Sequence, residues 1–191
     1  MTAPAQRTLI FTLLAALMAA TRINHFAPIP DASWAVFFIG GFYLSKQTRW
    51  AFPLLMGLAV LIDYAVITRS GQSFFQAYCV SPAYWCLVPA YFAMWAGGMW
   101  LRRRNVANDL RSLGLLAVGV VVSACVCQLI AQGSFYWVSA SVTSPSLAGW
   151  WQNYVQYLFP YMQTAAMYVG GAAVVHVVAT SLSRNRALAA G

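Results

Sequence analysis

The stretch KQTRWAFPLLMGLAVLIDYAVITR, residues 46–69, decides the fold class of this chain. Between Arg49 and Arg69 its sole charge is Asp63. A helix rises about 1.5 Å per residue, so residues 50–68 match a hydrocarbon layer about 30 Å thick. Bases stand at both ends, where a span would meet lipid headgroups.

Five further apolar stretches lie on either side of it, at 8–23, 33–45, 83–101, 112–131 and 154–182. The first two are short, and the second spans only if it runs from near Asp31 to near Gln47. Composition agrees with a lipid solvent. Of 191 residues, 61% are hydrophobic and 7% are charged, where a soluble domain is about a quarter charged. Three acids and eleven bases cannot cover a surface that faces water. The expectation is an all-α, polytopic integral membrane protein, one six-span domain over 1–191. The first stretch has no small-x-small cleavage site with a polar start after it, so it reads as a span and not as a signal peptide.

The bases orient the spans. With the N-terminus in the cytoplasm, the inner segments hold Arg7, then Lys46 and Arg49, then Arg102, Arg103, Arg104 and Arg111, then Arg184 and Arg186. Only Arg22 and Arg69 fall outside. This alternation obeys the positive-inside rule for six spans with both termini cytoplasmic. A five-span chain with a re-entrant second segment is the alternative, but it would move Lys46 and Arg49 outside. The net charge of +8 therefore reflects topology, and nucleic acid is excluded as a partner because the bases form short clusters between apolar runs. The longer, more elaborate loops all fall on the outer face, at 24–32, 69–82 and 132–153. Capture of something from outside is the function they point to.

Three residues near that face could carry chemistry. Asp63 lies five residues, about 7–8 Å, below the outer end of its span. An acid at that depth is costly and marks a functional site by default. Its structural alternative is an ion pair with Arg22, Arg69 or His25. His25 follows the first span, with Pro28 and Pro30 stiffening the loop after it. Cys79 precedes Pro82, near the start of the fourth span, and the positive end of that helix favours its thiolate. An inert thiol or a disulfide with Cys86 is the alternative, although Cys86 one turn down would strain such a bridge. Cys125 and Cys127 read as small packing residues on different helix faces. His176 reads as structural. Ala15/Ala19 and Ala16/Ala20 are small-xxx-small pairs, suited to packing within the chain or to docking on a partner helix. No Walker A, His-Glu-x-x-His or Gly-x-Ser-x-Gly motif is present.

Six short spans, an Ala-rich first helix and elaborate outer loops resemble the S-components of energy-coupling-factor vitamin transporters. Residues 22–44, with His25, Pro28, Pro30, Ser33-Trp34 and Gly40-Gly41, resemble the BtuM family of vitamin B12 transporters. So do Asp63 and the run Tyr78-Cys79-Val80-Ser81-Pro82-Ala83-Tyr84. The resemblance implies binding and uptake of cobalamin, and of cobinamide, across the bacterial inner membrane from the periplasmic side. It implies that Cys79 ligates the corrin cobalt and promotes decyanation of cyanocobalamin. It places His25, Asp63 and Tyr84 near that thiolate. It implies no intrinsic cofactor, the corrinoid being substrate. It also implies an energy-coupling module, a transmembrane T-component with ATPases, docking on Ala15, Ala16, Ala19 and Ala20.

The chemistry is sound from the residues upward. A thiolate is a soft donor able to replace a weaker axial ligand on cobalt. His25 could take the thiol proton, with Asp63 orienting the imidazole. Tyr78, Tyr84, Trp85, Tyr136, Trp137, Trp150 and Trp151 suit a flat ligand or an interfacial aromatic belt. Three other readings stay open. One is a membrane enzyme with Cys79 and His25 as nucleophile and base. Another is a transporter for a different flat ligand, such as haem or another vitamin. The third is an assembly or scaffold subunit, which needs none of the outer polar residues.

Overall fold

The computed structural model describes residues 3–23, 29–77, 80–104 and 109–189, with their side chains between 4 and 183. These form six helices: α1 (Ala3–Arg22), α2 (Ser33–Tyr43), α3 (Thr48–Arg69), α4 (Leu87–Arg102), α5 (Leu110–Val138) and α6 (Leu147–Ala189). Short 3-10 turns occur at Ser45–Gln47, Phe74–Gln76 and Pro82–Cys86. No strand occurs among the described residues.

Four helical segments are long and apolar enough to cross a membrane: Pro4–Arg22, Ser45–Arg69, Leu110–Val138 and Leu147–Ser183. Their outward faces carry large apolar side chains, among them Leu54, Leu61, Val122, Phe159 and Val175. An apolar surface this continuous is stable against lipid and a liability in water. The α2 helix, 11 residues long, reaches only about 16 Å. The α4 helix is preceded by the Pro82–Cys86 turn, so residues 83–86 of the expected fourth span are 3-10 and not α.

The helices outrun the apolar stretches that announce them. The α5 helix continues to Val138 and α6 begins at Leu147. The expected outer loop at 132–153 is thereby reduced to residues 139–146, and Phe135, Tyr136, Trp137, Trp150 and Trp151 are helical. Side chains tie the two extended ends to each other. Gln132 Nε2 donates to Asn153 Oδ1 at 2.5 Å, and Tyr136 Oη accepts from the Ser146 N–H at 3.2 Å. At its other end α5 is capped by Asp109, whose carboxylate accepts from the Ser112 N–H at 2.8 Å.

The α2 helix sits at the centre and packs on α1, α3, α4 and α6. It is apolar all round because it is covered all round: Ala35, Val36, Phe37, Phe38 and Ile39 are all buried. Its approach to α4 is backbone to backbone. A Cβ on Gly41 would overlap the Trp95 carbonyl, and one on Gly98 would overlap that of Phe38. Trp95, fully buried, donates from Nε1 to Thr48 Oγ1 at 2.9 Å and so ties α4 to the start of α3.

Contacts give each helix a direction. The end of α1, the start of α2, the last third of α3 and the start of α4 meet at Arg22. Phe11 of α1 meets Trp50 at the start of α3. At the far end of α2, Tyr43 meets His176 of α6 at 2.7 Å. The α2 helix thus leads away from Arg22, and α3 returns to it.

Candidate functional site

Two of the chain's three acids converge on one buried base. Arg22, the last residue of α1, is 7% exposed. Its Nε and Nη2 donate to Asp63 Oδ1 and Oδ2 at 2.7 and 2.6 Å, a two-point fork. Its Nη1 donates to Asp31 Oδ2 at 3.1 Å, Ser33 Oγ at 3.0 Å and Tyr91 Oη at 3.1 Å. The side chains of Asp31 and Asp63 are 22% and 16% exposed. Tyr84 Oη donates to Asp63 Oδ2 at 2.6 Å.

Local structure prepares each partner. Asp31 Oδ1 accepts from the N–H and hydroxyl of Ser33 at 2.9 and 2.6 Å, which turns the chain into α2. Thr21 Oγ1 accepts from the Ala32 N–H at 3.1 Å and closes the same turn onto α1. Tyr91 is stacked on Phe37, with ring centroids 4.7 Å apart. Tyr84 belongs to the 3-10 turn that opens at Pro82, whose fixed φ suits a first helical position. Beside the cluster, α3 and α4 part to leave a crevice of about 420 Å³, lined by Arg22, Gly57, Leu61, Tyr84, Trp85 and Tyr91 among others.

The formal charge of Arg22, Asp31 and Asp63 together is one negative. A buried arginine with five donors is tolerated only when those donors are met, and here every guanidinium nitrogen has an acceptor. The cluster therefore holds four chain segments in register and leaves a residual negative field. That field favours a positively charged group beside it and disfavours an anion.

Of the residues singled out from sequence, Asp63 and Tyr84 are brought together by a direct hydrogen bond. Asp63 pairs with Arg22, the structural alternative raised for it, and both its oxygens are engaged. Arg69 is exposed. His25 and Cys79 lie outside the described residues, and the proton relay drawn between His25 and Asp63 lies outside them too. Cys79 falls in a connection whose flanks are described. Ala77 is buried, and the Val80 N–H donates to the Ala77 carbonyl at 2.9 Å. Cys86, Cys125 and Cys127 are free thiols, Cys127 fully buried. On α1, Ala16 and Ala20 are exposed while Ala15 and Ala19 are half-buried.

Arg22, Asp31, Ser33 and Tyr91 were not read as site residues from the sequence. A signal was there for Arg22. It is one of two bases that the six-span expectation assigns to the base-poor side, which asks for another reason for its presence. Tyr91 carried none, because a tyrosine in an apolar run looks the same whether or not it binds a guanidinium. Among the described residues, no group of three His, Cys, Asp or Glu side chains could hold a metal ion. No protein-family model matches the chain, and a search of curated proteins finds no match.

Proposed function

We propose that this chain is a six-span protein of the bacterial inner membrane, both termini cytoplasmic, that binds vitamin B12 from the periplasmic side for uptake. The observation that carries the reading is the Tyr84–Asp63–Arg22 cluster. It joins Arg22, three residues before His25 in sequence, to Tyr84, five residues after Cys79. The alternating helix directions support six spans over five, since α2 leads from the Arg22 end to the Tyr43 end and α3 returns.

In this reading Cys79 ligates cobalt from one axial side. When cyanide occupies that position, the thiolate enters and cyanide leaves with its electron pair. This is a ligand substitution that leaves the metal's oxidation state unchanged. The cluster's net negative charge stabilises the electropositive metal centre. The exposed Ala16 and Ala20 face of α1 supports docking of an energy-coupling module there.

The test is a visible spectrum of the purified protein with cyanocobalamin. Wild type is expected to shift the corrinoid bands, and Cys79→Ala is expected to bind without that shift. An unchanged spectrum with wild type would overturn the reading.

A further inference from the structure

At the end of α2 remote from Arg22, α2, α5 and α6 part to leave a second cavity, a groove of about 510 Å³. Its size falls within the usual range for small-ligand sites. Its walls are aliphatic, built from Ile39, Leu113, Leu116, Val169, Ala172 and Ala173. They offer nothing for a polar ligand to bond. The mouth differs. Tyr43 Oη and His176 Nδ1 meet there at 2.7 Å, and Ser112 and Asp109 line it.

The charge at that mouth is positive. The Arg102 guanidinium lies 5.3 Å from the centroid of Phe42, whose ring lines the groove. Arg111 stands between Leu110 and Ser112, both groove residues. Asp109 is the one acid lining the groove, and its carboxylate is committed to capping α5. An aliphatic slot beside Arg102 and Arg111, in a chain with helices long and apolar enough to cross a membrane, fits one kind of occupant. Basic pockets between spans bind anionic lipid headgroups.

We propose that this groove holds an acyl chain of one anionic phospholipid, with its phosphate against Arg102 and Arg111. The site is separate from the Arg22 cluster and does not depend on which ligand that cluster serves. Bound there, the lipid would wedge α6 against α2 and α5.

The experiment reconstitutes the full chain in nanodiscs of phosphatidylcholine alone or mixed equally with phosphatidylglycerol. After detergent extraction, native mass spectrometry counts the lipids retained. Wild type is expected to keep one phosphatidylglycerol in preference to phosphatidylcholine. Arg102→Gln should lower that preference about fivefold, the worth of one arginine near a headgroup. Ala173→Phe fills the groove and should abolish retention of either lipid. Leu113→Trp, from the exposed side of α5, should do the same without burying new bulk in the core. Equal retention of both lipids by wild type would overturn the proposal. So would wild-type retention in Leu113→Trp or in a folded Ala173→Phe.

Discussion

Replacing Asp63 with Leu strands a guanidinium that is 7% exposed, and the cost can be worked from its bonds. The change removes the two-point fork at 2.7 and 2.6 Å. It leaves Arg22 Nη1 on Asp31, Ser33 and Tyr91. Breaking a buried pair by deleting one member costs about 3–5 kcal/mol. The remaining partners hold the figure near the lower end, about 3 kcal/mol. Arg22→Met leaves two carboxylates with no cation and should cost about as much, again about 3 kcal/mol. The double variant strands no guanidinium and one carboxylate fewer, so it should cost about 3–4 kcal/mol and not the sum. The coupling is then about 2–3 kcal/mol. Unfolding of the detergent-solubilised protein, followed by tryptophan fluorescence and circular dichroism, measures all four corners of the cycle. A coupling below about 0.5 kcal/mol, the range of independent sites, would refute the account of this cluster.

Three further outcomes are expected. Tyr84→Phe removes a hydrogen bond to a charged oxygen, worth about 1.5–3 kcal/mol. A stability loss of that size should appear in the same unfolding assay, and cyanocobalamin binding, measured by titration, should weaken with it. Gly98→Ala places a methyl against the Phe38 carbonyl, which cannot turn aside as a side chain would. A loss of about 1–3 kcal/mol should appear in the same unfolding assay, while Gly57→Ala, with nothing near its Cβ, should be neutral or slightly stabilising. Hydrogen bonds from Ser112 hold the Asp109 carboxyl below its ordinary value. Its contribution is therefore present above the ordinary carboxylate range and is lost as pH falls through the depressed folded value. Asp109→Asn should flatten the acid limb of the stability profile, and an unchanged limb would show that the cap adds nothing.

The six helices were legible as apolar runs, and their ends were not. Hydropathy locates the part of a helix that lipid must solvate. It is blind to the turns beyond, where Gln132 donates to Asn153 and Tyr136 accepts from the Ser146 N–H. Asp63 was legible as an anomaly, because an acid has no ordinary reason to be in a span. Its partner was one of three readable choices, and linear distance does not choose among them. The glycines of α2 and α4 illustrate the same limit. Gly40 and Gly41 were visible as a motif, but the contact they permit is with Trp95, more than fifty positions away.

What the sequence by itself determined is the solvent and the number of helices. Both follow from quantities additive along the chain: how many apolar residues stand in a row, and how few charges interrupt them. The tertiary structure alone decided what Arg22 does. Its five donors demand acceptors once it is buried, and the acceptors come from Asp31, Ser33, Asp63 and Tyr91 on three other helices and a turn. That choice depends on which helix ends meet, and packing at Gly41 and Gly98 sets where they meet.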